Sequence, residues 1–310
     1  MPIYLPIAEL SVDLFFLIGI GAAIGFISGL FGVGGGFLLT PLLLFSGVPA
    51  PVAVASVTGQ VVASSTSGAI SYIRRDALDL KLSAFLVAGG LFGSLAGVWI
   101  FGLLRAFGQL DLFISLGYLT FLGAIGSLMM VESVRSILRA RVPSAPTPRR
   151  LPGQHPWVQV LPLRTRFRKS RLYISVLPVL MIGFLIGIIG ALLGIGGGFI
   201  LVPALVYLLR VPGNVVVGTS LLHLLAVMAT TCLLHAIQSQ SVDILLAFCL
   251  MVGSVAGAQF GASAGQHLRG EQLRALLAII VLGVAFRFAL ALLVAPQDSY
   301  SMSAALRGAM

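Results

Sequence analysis

The chain has very little charge. Asp, Glu, Lys and Arg make up only 9% of its 310 residues, against about a quarter in soluble domains. Apolar residues make up 58% and the mean hydropathy is +1.09. A soluble fold could not hide so much apolar surface, so the composition describes a membrane protein. Acidic groups are the scarcest: Glu9, Asp13, Asp76, Asp79, Asp111, Glu132, Asp243, Glu271 and Asp298. All nine map to segment ends or loops. Cation carriers and carboxylate relays ordinarily hold one at membrane depth, so their absence there turns attention to anions. The two cysteines, Cys232 and Cys249, lie in apolar runs without metal or redox spacing, and they read as small buried side chains. Neither a metal nor a cofactor is implied.

The net charge of +10 is not spread as a binding face. Ten of the nineteen Lys and Arg lie between Arg135 and Arg171. Basic loops beside membrane helices report topology, and nucleic acid is not an expected partner. The N-terminus has no positive n-region, so its apolar run is expected to remain as the first membrane segment.

Against these absences stand long apolar runs and a duplicated glycine motif. A crossing needs about 20 residues. On that rule segments fall near 12–31, 36–47, 52–73, 82–103 and 111–131, then 173–193, 198–209, 214–237, 243–266 and 272–295. The stretch 29–44, GLFGVGGGFLLTPLLL, recurs at 191–206 as ALLGIGGGFILVPALV, an offset of 162 without a gap. Val48-Pro49 matches Val211-Pro212, and Gly89, Gly93 and Gly97 match Gly253, Gly257 and Gly261 at an offset of 164. The expected domains are therefore a first transmembrane repeat (1–131), a basic, Pro-rich linker (132–172), a second repeat (173–295) and a tail (296–310).

Lys and Arg place the linker in the cytoplasm, and counting outward puts both termini outside. Each half then has an odd number of crossings, so the halves are inverted relative to each other. The expected fold is an all-α polytopic membrane protein of two inverted-topology repeats. Each has about five hydrophobic segments, with broken or short helices after the glycine motifs, as in many secondary transporters. The glycine ridges also offer a surface for a homodimer.

Three glycines in an apolar run end a helix. A helix beginning within the membrane presents about half a positive charge and free N–H groups. Gly34, Gly35 and Gly36, with Gly196, Gly197 and Gly198, therefore suit an anion site; the competing reading is close packing alone. Ser56 and Gln60 lie on a polar stripe of the third segment, and Thr219 and His223 occupy the matching places. They line a pathway or bond helices together. Arg287, within VLGVAFRFALALLV, is costly at depth. It pairs with a substrate anion or reaches toward the surface.

At GLFGVGGGFLLTPLL and its copy ALLGIGGGFILVPAL the chain resembles the TauE/SafE family, the toluene-sulfonate uptake permeases. Gly32, Gly34, Gly35, Gly36 and Pro41, with Gly194, Gly196, Gly197, Gly198 and Pro203, carry the resemblance. It implies a permease for a small sulfur-containing anion such as sulfite, thiosulfate or an organosulfonate, in a bacterial cytoplasmic membrane. The expected function is a secondary transporter, exporting sulfite or an organosulfonate by alternating access. An anion channel of the same fold and an intramembrane enzyme or sulfur-relay protein are the alternatives. No enzyme motif is present: GVGGGF lacks the Lys and Ser/Thr of a P-loop.

Overall fold

A computed structural model describes residues 2–31, 34–74, 78–140, 164–167, 169–170, 172–209, 211, 213–265 and 270–293. Gly32, Arg75, Asp76, Arg210, Arg269, the linker core 141–163 and the tail 296–310 lie outside the described residues. A hairpin of β1 (Pro2–Leu5) and β2 (Leu10–Asp13) leads into α1 (Leu14–Phe31), α2 (Gly36–Phe45), α3 (Ala50–Arg74), α4 (Leu80–Ala106) and α5 (Leu110–Ala140). A second hairpin, β3 (Arg164–Phe167) and β4 (Leu172–Ser175), leads into α6 (Val176–Leu193), α7 (Gly198–Tyr207), α8 (Gly213–Leu234), α9 (Ile244–Gly265) and α10 (Gly270–Leu293). A π-helical turn, His235–Ser239, extends α8.

Every expected segment is a helix, and among the described residues six helices are long and apolar enough to cross a membrane. The chain is an all-α polytopic membrane protein. Its outer faces carry Phe92, Phe248 and Phe286, all exposed, as a lipid-facing surface requires. α2 and α7 have ten residues each, about 15 Å at 1.5 Å per residue, half of a bilayer core.

The hairpins are the unexpected elements. Each pairs four residues antiparallel, Pro2 with Asp13 through Leu5 with Leu10, and Arg164 with Ser175 through Phe167 with Leu172. All four pairing positions repeat at an offset of 162, so the duplication includes them. Their last residues cap the helices that follow: Asp13 Oδ1 accepts from Phe15 N at 3.1 Å and Ser175 Oγ from Leu177 N at 3.3 Å.

The helices pair across the halves. A Cβ on Gly21, Gly25 or Gly29 of α1 would meet the backbone of Leu250, Ser254 or Ala258 of α9. The contacts advance together, so α1 and α9 run parallel. Gly89 and Gly93 of α4 meet Leu180 and Phe184 of α6 in the same way, again parallel. Small residues let the backbones touch where lipid offers no hydrophobic drive between helices. α3 opposes α8, with Gly68 against Leu221 and Gly59 near Cys232. α9 runs along α3, with Ser56 at Asp243 and Gly59 at Ala247. α4 runs along α8, with Ser83 at Thr219 and Gly90 at His223. It follows that α1 and α6, counterparts in the repeat, point in opposite directions.

These contacts are unforgiving. On Gly257 a Cβ would lie 2.0 Å from Ala22 O, whereas on Gly123 it would meet nothing within 4 Å. Gly257→Ala is expected to cost about 1–3 kcal/mol from overpacking and to lower the thermal midpoint of the detergent-solubilised protein. Gly123→Ala leaves the midpoint unchanged or slightly raised.

Candidate functional site

The two glycine breaks meet. In the first, Gly34 has φ +82° and α2 starts at Gly36. In the second, Gly194 ends α6 with φ +67°, its N–H donating to Gly190 O at 2.9 Å. Gly196 and Gly197 then hold φ +74° and +73° before α7 begins. Two successive left-handed residues are accessible to glycine without steric cost, which accounts for the run. Neither half-helix has a side-chain cap on its N-terminus.

A Cβ on Gly36 would lie 2.6 Å from Gly194 O and 3.0 Å from Ile195 C. Val61 of α3 wedges against both breaks, 2.8 Å from the Gly36 Cβ position and 2.9 Å from that of Gly196. Just beyond, the Phe37 and Phe199 rings stack with centroids 4.6 Å apart and planes 8° apart. The crossing is thus built from equivalent residues of both halves.

Gln60 is fully buried, and its Nε2 lies 3.4 Å from the Gly35 Cβ position at the start of α2. Neither its amide nitrogen nor its amide oxygen has a hydrogen-bond partner among the described residues. Thr40 is also buried. Its Oγ1 lies 3.0 Å from the Gly194 Cβ position and beside the Tyr118 hydroxyl, which itself donates to Leu193 O at 2.6 Å. Ser65 Oγ is a buried hydroxyl without a partner among the described residues. An unsatisfied buried polar group costs about 1–3 kcal/mol. The Gln60 amide beside the first break, with neither end paired among the described residues, represents a standing cost that a polar ligand would relieve.

The remaining expected residues divide. His223 is buried near the Leu86 backbone, its ring rests on Gly90 of α4, and neither ring nitrogen makes a hydrogen bond of ordinary geometry among the described residues. Because α3 and α8 are antiparallel, Gln60 sits at the level of Cys232 and His223 near that of Gly68. They are on the order of 10 Å apart along the helices and do not face one another. Ser56 and Thr219 are engaged: Ser56 Oγ accepts from Asp243 N at 2.9 Å, and Thr219 Oγ1 from Asp79 N at 3.3 Å. Gly198 opens α7 as a buried residue. Arg287 is exposed, its guanidinium carbon 5.2 Å from the centroid of the Phe45 ring at the far end of α2. The crossing is built without it. Thr40 was missed in the sequence, although a lone hydroxyl in an apolar half-helix, facing Val202 in the copy, was a visible signal.

The profile of the Sulfite exporter TauE/SafE family matches residues 17–288. The chain belongs to this family. Among similar proteins, the "Probable membrane transporter protein YjnA" of Bacillus subtilis is 29% identical, covering 86% of this chain and 96% of that one. A "Probable membrane transporter protein" of Xylella fastidiosa (strain Temecula1 / ATCC 700964) is 30% identical over 86% of this chain and 92% of its own. The Arabidopsis thaliana "Sulfite exporter TauE/SafE family protein 5" is 43% identical over 49 residues, 16% of this chain and 11% of that one. No solved structure gives a significant match. The family is one of membrane transporters, and this chain is a multi-pass membrane transporter rather than an enzyme.

The breaks differ in what they tolerate. Gly197→Ala places a Cβ 2.4 Å from Ile186 Cγ2 on a backbone with φ +73°. It is expected to lose about 1–3 kcal/mol. Gly35, with φ −82°, has side-chain ends as its nearest neighbours. Gly35→Ala therefore leaves the thermal midpoint closer to wild type while pushing on Gln60. Parallel thermal unfolding of the two purified variants checks the order.

Proposed function

We propose that the protein is a secondary transporter exporting a small sulfur-containing anion, sulfite or an organosulfonate, by alternating access of two inverted repeats. The observation that carries this reading is the buried, unpartnered Gln60 amide against Gly35 at the uncapped N-terminus of α2. A helix N-terminus favours negative charge, and a carboxamide donates two hydrogen bonds to an oxyanion. Thr40 Oγ1 adds a donor one turn along α2, beside Gly194. Gly36 and Gly196, without side chains, let the two breaks and Val61 pack in direct contact, which brings the half-helix N-termini close together.

The opposite directions of α1 and α6 support the inverted repeat, and two half-length helices meeting at Phe37 and Phe199 support a site near mid-depth. His223, on the counterpart helix at a different depth, serves as a second polar station on the same route. The basic stretch Arg135–Arg171 supports a cytoplasmic linker in a bacterial inner membrane, with both termini outside. An inside-negative potential then drives anion exit by about 2.3 kcal/mol per charge per 100 mV, without a carboxylate at depth. The family description and the Arabidopsis relative's name make sulfite the first anion to test.

In proteoliposomes, sulfite flux is expected to saturate and to rise with an imposed potential of the driving sign. Gln60→Leu, close in volume and unable to donate, is expected to reduce flux at limiting sulfite by about tenfold or more, the worth of one lost hydrogen bond to an anion. Thr40→Val reduces it less. Absence of saturable flux for sulfite, thiosulfate and organosulfonates alike, or full activity in Gln60→Leu, counts against the assignment.

A further inference from the structure

The two hairpins end at two buried carboxylates. Asp79, before α4, is 3% exposed, and Asp243, before α9, is fully buried; their numbers differ by the 164 of the glycine ridges. Asp79 Oδ1 accepts from Leu82 N at 3.2 Å, and Asp243 Oδ1 from Leu246 N at 3.1 Å, so each caps its own helix. The second oxygen reaches a hairpin. Asp79 Oδ2 accepts from Ser170 N at 3.0 Å and Ser170 Oγ at 2.7 Å, in the β3–β4 turn. Asp243 Oδ2 accepts from Ile7 N at 3.1 Å, in the β1–β2 turn. Each backbone N–H in turn donates to the third helix of the opposite half, at Thr219 and Ser56.

Each carboxylate thus ties its own helix to the opposite half's hairpin, while the same residue's backbone N–H holds the opposite half's polar helix. Each hairpin also seats an apolar side chain inside the bundle: Leu5 and Phe167, equivalent in register, are both fully buried. α4 and α9 run in opposite directions and both carboxylates stand at N-termini, so the joints lie at opposite ends of the molecule. Ser56 is one helical turn from Gln60, and Thr219 one turn from His223. Around Asp243 the loop is braced by Arg105, which donates to Ser239 O at 2.7 Å and Ser241 Oγ at 2.9 Å.

We infer that Asp79 and Asp243 are the gating residues of the transport cycle. Each latches one hairpin across one end of the route, and release of one latch opens that end alone. Both latches are closed in this structure. The inference rests on the alternating-access reading above, but its test requires no substrate. Asn suits the test because it keeps a single acceptor oxygen. Asp79→Asn and Asp243→Asn can each satisfy the helix cap or the hairpin, not both.

In a background lacking Cys232 and Cys249, Gln60→Cys reports opening at the Asp243 end and His223→Cys at the Asp79 end. A charged, membrane-impermeant thiol reagent is applied to each face of reconstituted vesicles in turn. Asp243→Asn is expected to speed labelling at position 60 by about tenfold, the factor for one lost hydrogen bond to a charged group, with position 223 unchanged. Asp79→Asn does the reverse. Ser170→Ala removes only the hydroxyl arm to Asp79 and leaves both caps intact; it is expected to act in the direction of Asp79→Asn, which keeps the test available if the Asn variants do not fold. Equal acceleration at both reporters, or none, overturns the latch assignment. Sided labelling in a protein without sulfite flux would sustain the latches while removing the substrate.

Discussion

Close backbone contact between the halves is the constraint on which the structure depends. Lipid tails solvate an apolar helix as well as another helix does, so association must come from packing and hydrogen bonds. Here it comes from carbonyl oxygens lying where a side chain would otherwise stand, as Ala22 O does against Gly257 and Phe184 O against Gly93. Because these ridges join α1 to α9 and α4 to α6, neither half forms a bundle of its own. The first helix of each is held by the fourth of the other. With both outer pairs fixed this way, α3 and α8 are left to cross in the middle, and the half-helices fall between them.

That placement explains the chemistry at the crossing. A half-helix ending at mid-depth leaves its N-terminus without water, and such an end is tolerated only inside protein or against a polar cavity. The sequence surrounds it with groups that fill space without satisfying it: Val61 against both breaks, Gln60 beside Gly35, Thr40 beside Gly194. On the same helices other hydroxyls bond their own backbone, as Ser64 does to Val61 O and Thr230 to Ala226 O. Among the described residues the orphans are therefore particular to a few buried positions rather than a general feature of polar side chains on these helices.

Much of this was legible in the sequence, because membrane helices write their length directly as apolar run. All ten segments, and the two that are too short to cross, appear where hydropathy and glycine put them. Helical spacing also picked out Ser56, Gln60, Thr219 and His223, but could not say which of them would be used up. Ser56 and Thr219 accept from Asp243 and Asp79, which lie 187 and 140 residues away, and no local pattern encodes such partners. The hairpins escaped notice for a similar reason. Four-residue strands such as RTRF carry no periodicity of their own, and basic residues there read as linker. Asp79 and Asp243 did share the offset of the glycine ridges, a signal strong enough to have marked them as a pair. Arg287 shows the limit of composition: a cation within an apolar run allows both a deep and a surface-reaching side chain, and only the fold puts its guanidinium carbon 5.2 Å from the Phe45 ring centroid on an exposed residue.

Interlocking has a consequence for how such a chain is made. α1 is synthesised first, yet the ridge that covers its glycines belongs to α9, more than two hundred residues later. α4 waits a shorter time for α6. Until then the first half sits in the bilayer with its backbone grooves facing lipid, inserted but unassembled, and the two breaks have nothing to cross against. Assembly must therefore be late and nearly all at once. A chain interrupted in the second half would leave not half a transporter but a set of separate helices, exposed to membrane quality control.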